Sequence, residues 1–422
     1  MNPRPSAAVG ATPSHELGDS RLRAVPFAAR TVLALLQRLR GGRLELRLPD
    51  DKTLHFGEHQ SDLPLVHLHV RDWAVFSAVL RRGDIGFAEG YFDGQWTTSD
   101  LPGLLGLLLA NRGAVERVLH GSAWGTLMAR LRHVLNRNSR SGSRYNIHVH
   151  YDIGNAFYQL WLDRGMTYSS ALFSTSEQSL EAAQQAKFAR VAAQLDLPAG
   201  SRVLEIGCGW GGFAETAARS GLRVTGITLS TEQLAFARDR LRVAGLAEMA
   251  QLSLCDYRDA AAIAPTEGYD GIASIEMFEA VGEAYWPSFF KTVATQLKPG
   301  GRACIQTITI DDAIFPQYRR GTDFIQQYIF PGGILPSRSA FVAQARQAGL
   351  EVADALAFGQ DYARTLALWR QRFLRQRDAA RAQGFGERFL LLWEFYLAYC
   401  EAGFAQRTLD VVQFTLRHRR EA

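Results

Sequence analysis

The stretches RVLEIGCG, LRVTGITLS, AQLSLCDY, YDGIASIEM and GRACIQTITI are short runs rich in branched apolar residues, spread over residues 202–310. Between them, GGFAETAARSG and STEQLAFARDRLRVAG carry apolar residues at helical spacing. Apolar runs alternating with helical patterns predict an α/β fold with a doubly wound, mostly parallel sheet. Ligands of such sheets bind beyond the carboxyl ends of the strands. The segment from Phe373 to Phe414 reads as helical and aromatic-rich, packed against that sheet.

The rhythm differs nearer the amino terminus. RTVLALLQRL and LPGLLGLLLANRGAVERVL predict helices, and RLELRLPDDKTLHFG alternates like two strands around a turn. The stretch Asn136 to Asn146, NRNSRSGSRYN, is almost free of apolar residues and has a linker composition. The expected organisation is therefore a flexible tail (1–20), a smaller amino-terminal α+β domain (21–135), a linker (136–146) and a main domain (147–422). A length of 422 residues agrees with two domains.

Composition narrows the setting. No apolar run approaches the roughly 18 residues of a membrane span, and residues 1–20 lack a charged-then-apolar signal pattern. Cys208, Cys255, Cys304 and Cys400 lie far apart with no CxxC pair, which argues against a metal site or disulfide framework and for a reducing cytoplasm. The net charge of +5 is concentrated in arginine patches: Arg130, Arg132, Arg137, Arg140 and Arg144, then Arg417, Arg419 and Arg420. Nothing looks like a nucleic-acid recognition element, so an anionic membrane surface is the preferred partner of these patches, and no nucleic acid is expected.

Val203-Leu204-Glu205-Ile206-Gly207-Cys208-Gly209-Trp210-Gly211 follows a predicted strand and opens a helix. Glycines there let backbone approach a nucleoside cofactor closely. A dinucleotide site wants GxGxxG and an acid about twenty residues on. Here the acid, Glu205, precedes the glycines, the second strand ends in Thr228, Leu229 and Ser230, and the third ends in Asp256-Tyr257. An acid and an aromatic at that point suit the edge and face of an adenine. The pattern looks like a class I S-adenosylmethionine-dependent methyltransferase.

Six ordered stretches sharpen this: HYDIGNAFYQLWLDRGMTYSSALF, VLEIGCGWGGFAETAA, GITLSTEQ, EMFEAVG, DFIQQYIFPGG and FGQDYARTL. Together they resemble the cyclopropane-fatty-acyl-phospholipid synthase and mycolic acid cyclopropane synthase family, over about Arg144 to Arg407. IGFAEGYFDGQWTTSDL looks like the extra amino-terminal domain of the bacterial phospholipid enzymes, which would engage lipid or membrane. The resemblance implies transfer of a methyl(ene) group from S-adenosylmethionine to a cis double bond of a phospholipid acyl chain. A cation forms, a base removes a proton from the new methyl, and the ring closes. It also implies a peripheral place on the inner face of the membrane, and it allows a homodimer.

Carried over residue by residue, the resemblance puts Tyr168, Ser169 and the loop from Val203 to Gly211 on the cofactor. Thr228, Leu229, Ser230 and Gln233 would line its ribose and methionine side, and Asp256 and Tyr257 would meet the adenine. Tyr151 would face the reacting carbon, where a ring face stabilises a cation. The family's base is a bicarbonate ion held beside a glutamate. Glu279 matches that glutamate, Tyr362 a tyrosine touching the ion, and Ile308 a backbone contact. Glu276, one turn of chain earlier, has no such counterpart and is read as structural. Cys400 matches a cysteine near the family's carboxyl end, although a thiol on an aromatic helix is more often a small buried apolar group.

This chain departs from the family at three points. Ser170 stands where many members have cysteine, Gln306 where they have histidine, and Ala280 replaces a histidine. Serine and glutamine donate hydrogen bonds to an anion but do not titrate near neutrality. Ring closure is the expected outcome. The alternatives are a methyl- or methylene-branched chain, a small-molecule methyltransferase, and a silent lipid-binding protein.

Overall fold

A computed structural model describes residues 25–58, 60, 62–113 and 153–419. The proposed linker, the Arg130 to Arg144 patch, Tyr151 and Arg420 lie outside these residues.

The amino-terminal unit starts with α1 (Phe27–Leu36), followed by β1 (Arg43–Arg47), β2 (Thr53–Gly57) and β3 (Leu65–Val70). It continues with α2 (Ala74–Phe92), β4 (Trp96–Thr97) and α3 (Leu101–Ala110). The strands form one sheet in the order β2-β1-β3-β4, with β1 and β3 parallel and the outer pairs antiparallel. Alternation drives it: Leu44 and Leu46 on β1 and Val66, Leu68 and Val70 on β3 are buried while their neighbours face outward. Helix α2 breaks at Gly83, whose φ of 58° only glycine adopts without strain.

The second sheet has seven strands. In chain order its elements are α4 (Leu180–Leu195), β5 (Arg202–Ile206), α5 (Gly212–Arg219), β6 (Arg223–Thr228), α6 (Thr231–Val243), β7 (Ala250–Leu254) and β8 (Tyr269–Ile275). Then come α7 (Trp286–Gln296), β9 (Leu297–Ile310), α8 (Arg338–Gln347), β10 (Leu350–Ala357), α9 (Gly359–Arg375), α10 (Glu387–Ala405) and β11 (Leu409–His418). The strand order is β10-β11-β9-β8-β5-β6-β7. Neighbouring strands from β9 to β7 run parallel, and β11 pairs antiparallel with both β9 and β10. Serine hydroxyls set where the covering helices begin: Ser179, Ser230 and Ser337 each accept a backbone N–H at the start of α4, α6 and α8.

The last strand corrects one expectation. The helical reading to Phe414 ends at Ala405; after Arg407 turns the chain with φ 58°, LDVVQFTLRH is extended. Val411 to Leu416 are all buried, so both faces of this strand are covered, and the β-branched run then favours strand over helix.

Helix α10 ties the two sheets together. It packs against α2 and α3 on one side and α9 on the other. Phe395 meets Tyr91 and Phe92 of α2 and Phe324 at ring-centre distances of 5.9, 5.8 and 5.0 Å. One apolar cluster runs unbroken from Leu46 and Trp96 to Trp161, Trp369 and Trp393.

Candidate active site

The glycine loop leaves the carboxyl end of β5, the central crevice of the sheet. Its glycines divide by role. A Cβ on Gly207 (φ 84°) would sit 2.8 Å from the Met277 side chain, and one on Gly211 (φ 80°) 3.0 Å from Ala237. These two serve backbone shape and packing. A Cβ on Gly209 (φ 50°) would meet nothing within 4 Å, because this position opens into a cavity of about 1320 Å³. Beside it, one carboxylate oxygen of Glu205 is buried without a hydrogen-bond partner, and burial holds that carboxyl well above its usual range. An open glycine face and an orphaned acceptor at the end of the first strand fit a nucleoside with free hydroxyls.

The other residues expected at the cofactor have mixed placements. Val203, Leu204 and Ile206 are buried in β5, and Cys208 and Trp210 line the cavity. Thr228 Oγ1 donates to Gln233 Oε1 at 3.2 Å while Ser230 caps α6, and Thr228, Leu229 and Gln233 line the cavity. Tyr168 shares a 2.7 Å hydrogen bond with Tyr396. Ser169 Oγ accepts from Lys187 Nζ at 2.5 Å. Tyr257 faces the cavity. Asp256 does not: both its oxygens accept from Arg258, at 2.8 and 2.5 Å, and it lies outside the cavity lining. Between Cys255 and Tyr257, which both line the cavity, Asp256 is held by this charge-assisted pair with Arg258.

A second centre gathers at the end of β8, and its focus differs from the expected one. Glu276 holds a φ of 50° and donates its N–H to the Gln306 carbonyl at 2.8 Å. Its Oε1 accepts the Ser170 N–H at 2.8 Å and Gln306 Nε2 at 2.7 Å, and its Oε2 accepts the Tyr362 hydroxyl at 2.7 Å. The Gln306 amide is oriented from behind: its Oε1 accepts from Gln413 at 2.9 Å, and Gln413 accepts from Arg190 at 2.7 Å. Ser170 contributes its backbone N–H, since its hydroxyl turns to the Ala171 carbonyl at 3.0 Å.

Glu279 lies beside this group and is bound differently. Its Oε1 accepts Thr307 Oγ1 at 3.0 Å and the Ile308 N–H, and its Oε2 is buried without a partner. Burial, and then the neighbouring Glu276, pushes this carboxyl up to about 8. Ser170, Gln306 and Tyr362 thus converge on Glu276, and of the contacts expected around Glu279 only Ile308 meets it. The donors that the resemblance assigns to a bicarbonate ion are taken by the protein's own carboxylate, so the site does not fit that ion.

Cys400 also lines the cavity, but burial pushes its thiol far above the thiolate range, which suits a packing group rather than a nucleophile. Lys187 was not foreseen. It is fully buried on α4, 4.3 Å from the Phe188 ring centre, and burial draws it down to about 7 against the pull of Glu276, Asp163 and Glu205. Glu276 did carry a sequence signal, being an acid at the carboxyl end of a strand in a doubly wound sheet. Lys187 carried none.

The cavity continues past the carboxylates into the amino-terminal unit. It is lined there by Leu35, Leu44, Leu46, Leu68, Val70 and Phe76. Its volume exceeds the roughly 300–1,000 Å³ of an ordinary small-molecule pocket.

This sheet order, with a glycine loop after β5 beside the central strand β8, defines a class I S-adenosylmethionine-dependent methyltransferase. The chain belongs to the mycolic acid cyclopropane synthetase family, whose family model matches residues 138–414. It is 38% identical over 424 residues to the tuberculostearic acid methyltransferase UfaA1 of Mycobacterium tuberculosis, covering 96% of this chain and 97% of that one. It is 33% identical over 350 residues to the cyclopropane-fatty-acyl-phospholipid synthase of Escherichia coli K12, covering 82% and 86%. Among solved structures, mycolic acid cyclopropane synthase CmaA1 complexed with SAH and CTAB superposes with a TM-score of 0.60 at 29% identity, over 65% of this chain and 97% of that one. The cofactor is S-adenosylmethionine.

The open face of Gly209 gives a direct test. Gly209→Val should weaken S-adenosylmethionine binding at least about tenfold, a loss of roughly 1.4 kcal/mol. The left-handed conformation should also lower stability by about 1–2 kcal/mol. Calorimetry beside thermal unfolding separates the two, and unchanged affinity would reject this placement of the cofactor.

Proposed function

We propose that the chain transfers a one-carbon unit from S-adenosylmethionine to a cis double bond of an unsaturated phospholipid acyl chain, giving a cyclopropane fatty acid. The observation that carries this reading is the single cavity joining the glycine loop, the Glu276–Glu279 pair and an apolar chamber. When bound, S-adenosylmethionine supplies an electrophilic methyl group, which the alkene takes up to leave an adjacent cation. The protein must then do three things: hold an extended apolar chain, tolerate positive charge and accept a proton. The leucine and valine side chains of β1 and β3 suit the first. Tyr168, Tyr396 and Phe404 line the cavity and offer ring faces for the second. The buried carboxyl pair suits the third.

Work at the cytoplasmic face of the membrane, without a membrane span, belongs to the same proposal. Among the described residues no helix is long and apolar enough to cross a membrane. Helix α1 sends Val32, Leu35 and Leu36 into the cavity while Phe27, 77% exposed, points outward with Arg30 beside its ring. An exposed aromatic and an arginine at the edge of a lipid chamber suit a headgroup boundary.

A second reading is a methylene-branched chain, favoured by the 38% identity, over nearly the whole chain, to a tuberculostearic acid methyltransferase. In that case hydride moves to the cationic carbon before the same proton is lost. Expression in cells fed trideuteromethyl methionine should place two deuteriums in a lipid acyl chain under either reading. Ozonolysis then separates them, since an exomethylene group is cleaved to a ketone and a cyclopropane survives. Label confined to small molecules would reject both.

A further inference from the structure

We propose that the Glu276 carboxylate is the enzyme's built-in proton acceptor, occupying the position that the resemblance assigns to a bicarbonate ion. The proposal rests on the acyl-methylation reading. A carboxylate and a bicarbonate present the same planar O–C–O edge to hydrogen-bond donors. Here the Ser170 N–H, the Gln306 amide and the Tyr362 hydroxyl all end on Glu276, at 2.7–2.8 Å. A second anion would have to share these donors with Glu276, and would set two negative charges in contact in a buried site.

Three further features point the same way. Glu276 is held at φ 50°, a conformation that glycine adopts freely and glutamate does not. Such strain persists where the surroundings over-determine it, as the ladder bond to Gln306 and the three donors do here. The orientation is fixed through two side-chain amides ending on the Arg190 guanidinium, so the Gln306 N–H₂ and not its carbonyl faces the carboxylate. Oε2 accepts a single hydrogen bond and Glu276 lines the cavity, which leaves a lone pair for a substrate proton.

The adjacent charges support an ionised Glu276. Burial raises the Glu276 carboxyl above its ordinary value, and Lys187 on α4, the Tyr362 hydroxyl on α9, the Ser170 N–H and Gln306 on β9 act against that rise by favouring the charged form. Glu279, pushed up to about 8 by burial and then by Glu276, favours its protonated form at neutral pH, which spares Glu276 a second negative charge beside it. In the step itself Oε2 removes a proton from the carbon newly joined to the alkene. The electron pair of that C–H bond forms the bond to the cationic neighbour and closes the ring. The proton rests on Glu276 until solvent takes it, and nothing is oxidised or reduced.

The test uses the full chain with radiolabelled S-adenosylmethionine and monounsaturated phospholipid vesicles, in CO₂-free buffer with and without added bicarbonate. Wild-type turnover should be the same in both, within about twofold. Glu276→Gly, which suits the backbone, should lose about 100-fold or more, in line with general-base assistance, and recover in part with bicarbonate or formate. Glu276→Gln should be equally slow and not recover, because its amide still fills the site. Carbon-13 bicarbonate should bind the glycine variant by NMR and not the wild type, a readout that needs no turnover. A wild-type rate that falls on removing bicarbonate overturns the proposal. So does a glycine variant that binds cofactor normally yet is neither slowed nor rescued. If the wild type labels no lipid in any buffer, the acyl-methylation reading fails instead, and NMR binding of bicarbonate to the wild type still overturns the proposal.

Discussion

Lys187→Met is expected to raise the stability of this protein while removing most of its turnover. The side chain is fully buried beneath Ser169, and burial draws the ammonium from its ordinary 10.5 down to about 7 despite three neighbouring carboxyls. A base whose folded pKa lies below its unfolded value makes the folded state lose stability as pH falls from the unfolded value to the folded one. Below about 7 the whole penalty is present. One pKa unit is worth about 1.4 kcal/mol, so the ceiling is near 5 kcal/mol. That shift is already net of the attraction to Glu276, Asp163 and Glu205; relaxation around a buried cation lowers the cost below the ceiling, to an expected gain of about 2–4 kcal/mol. Methionine has the length to fill the space without a charge. Thermal unfolding should show the gain near pH 6.5 and little of it near pH 10. Turnover should fall because the cation that favours an ionised Glu276 is gone. An unfolding temperature lowered at pH 6.5 would show that Lys187 is a net structural support. Undiminished turnover would show that it does not serve the centre.

Lys187 also marks the limit of what the chain reveals before it folds. The glycine loop could be read because a strand, an acid and spaced glycines follow one another locally. The structure adds a distinction that spacing cannot carry, since Gly207 and Gly211 answer to Met277 and Ala237, and Gly209 alone of the three faces open space. The parallel strands were legible from their branched apolar runs. Strand β11 was not, because its surroundings come from β9 and β10, far off in sequence. At the second centre, Glu276, Ser170, Gln306 and Tyr362 could each be named, but which acid the donors reach depends on the turn after β8. The pairing of Asp256 with Arg258 was not legible, because Arg258 reads as an ordinary surface residue until the side chains are seen. Lys187 sits in LEAAQQAKFARVAAQL, where a helix with several polar positions gives no sign of which one turns inward.

The seam between the amino-terminal unit and the large sheet should respond to pH with the opposite sign. Asp84 follows the break in α2, and its Oδ2 accepts the Tyr399 hydroxyl of α10 at 2.9 Å and the Phe324 N–H at 3.2 Å. Asp323 caps the short helix Phe324–Tyr328 through the Gln326 N–H at 2.8 Å. Burial, and then Asp84, pushes Asp323 up to about 7, with the Arg112 guanidinium near the end of α3 acting against the shift. An acid whose folded pKa lies above its unfolded value makes the folded state lose stability as pH rises between the two. The loss therefore builds from about pH 4 to about pH 7 and is constant above. Asparagine caps a helix as well as aspartate does and cannot ionise, so Asp323→Asn should remove it. The expected gain at pH 8 is on the order of 2–4 kcal/mol, shrinking to nothing near pH 4. Calorimetric unfolding of wild type and variant across that range measures the difference directly. Because the acid pair joins α2 to α10, the gain should appear in the transition that parts the two units. A variant less stable than wild type at pH 8, or a difference that does not change with pH, would show that Asp323 is ionised at ordinary cost in the folded protein and that the seam carries no strained acid pair.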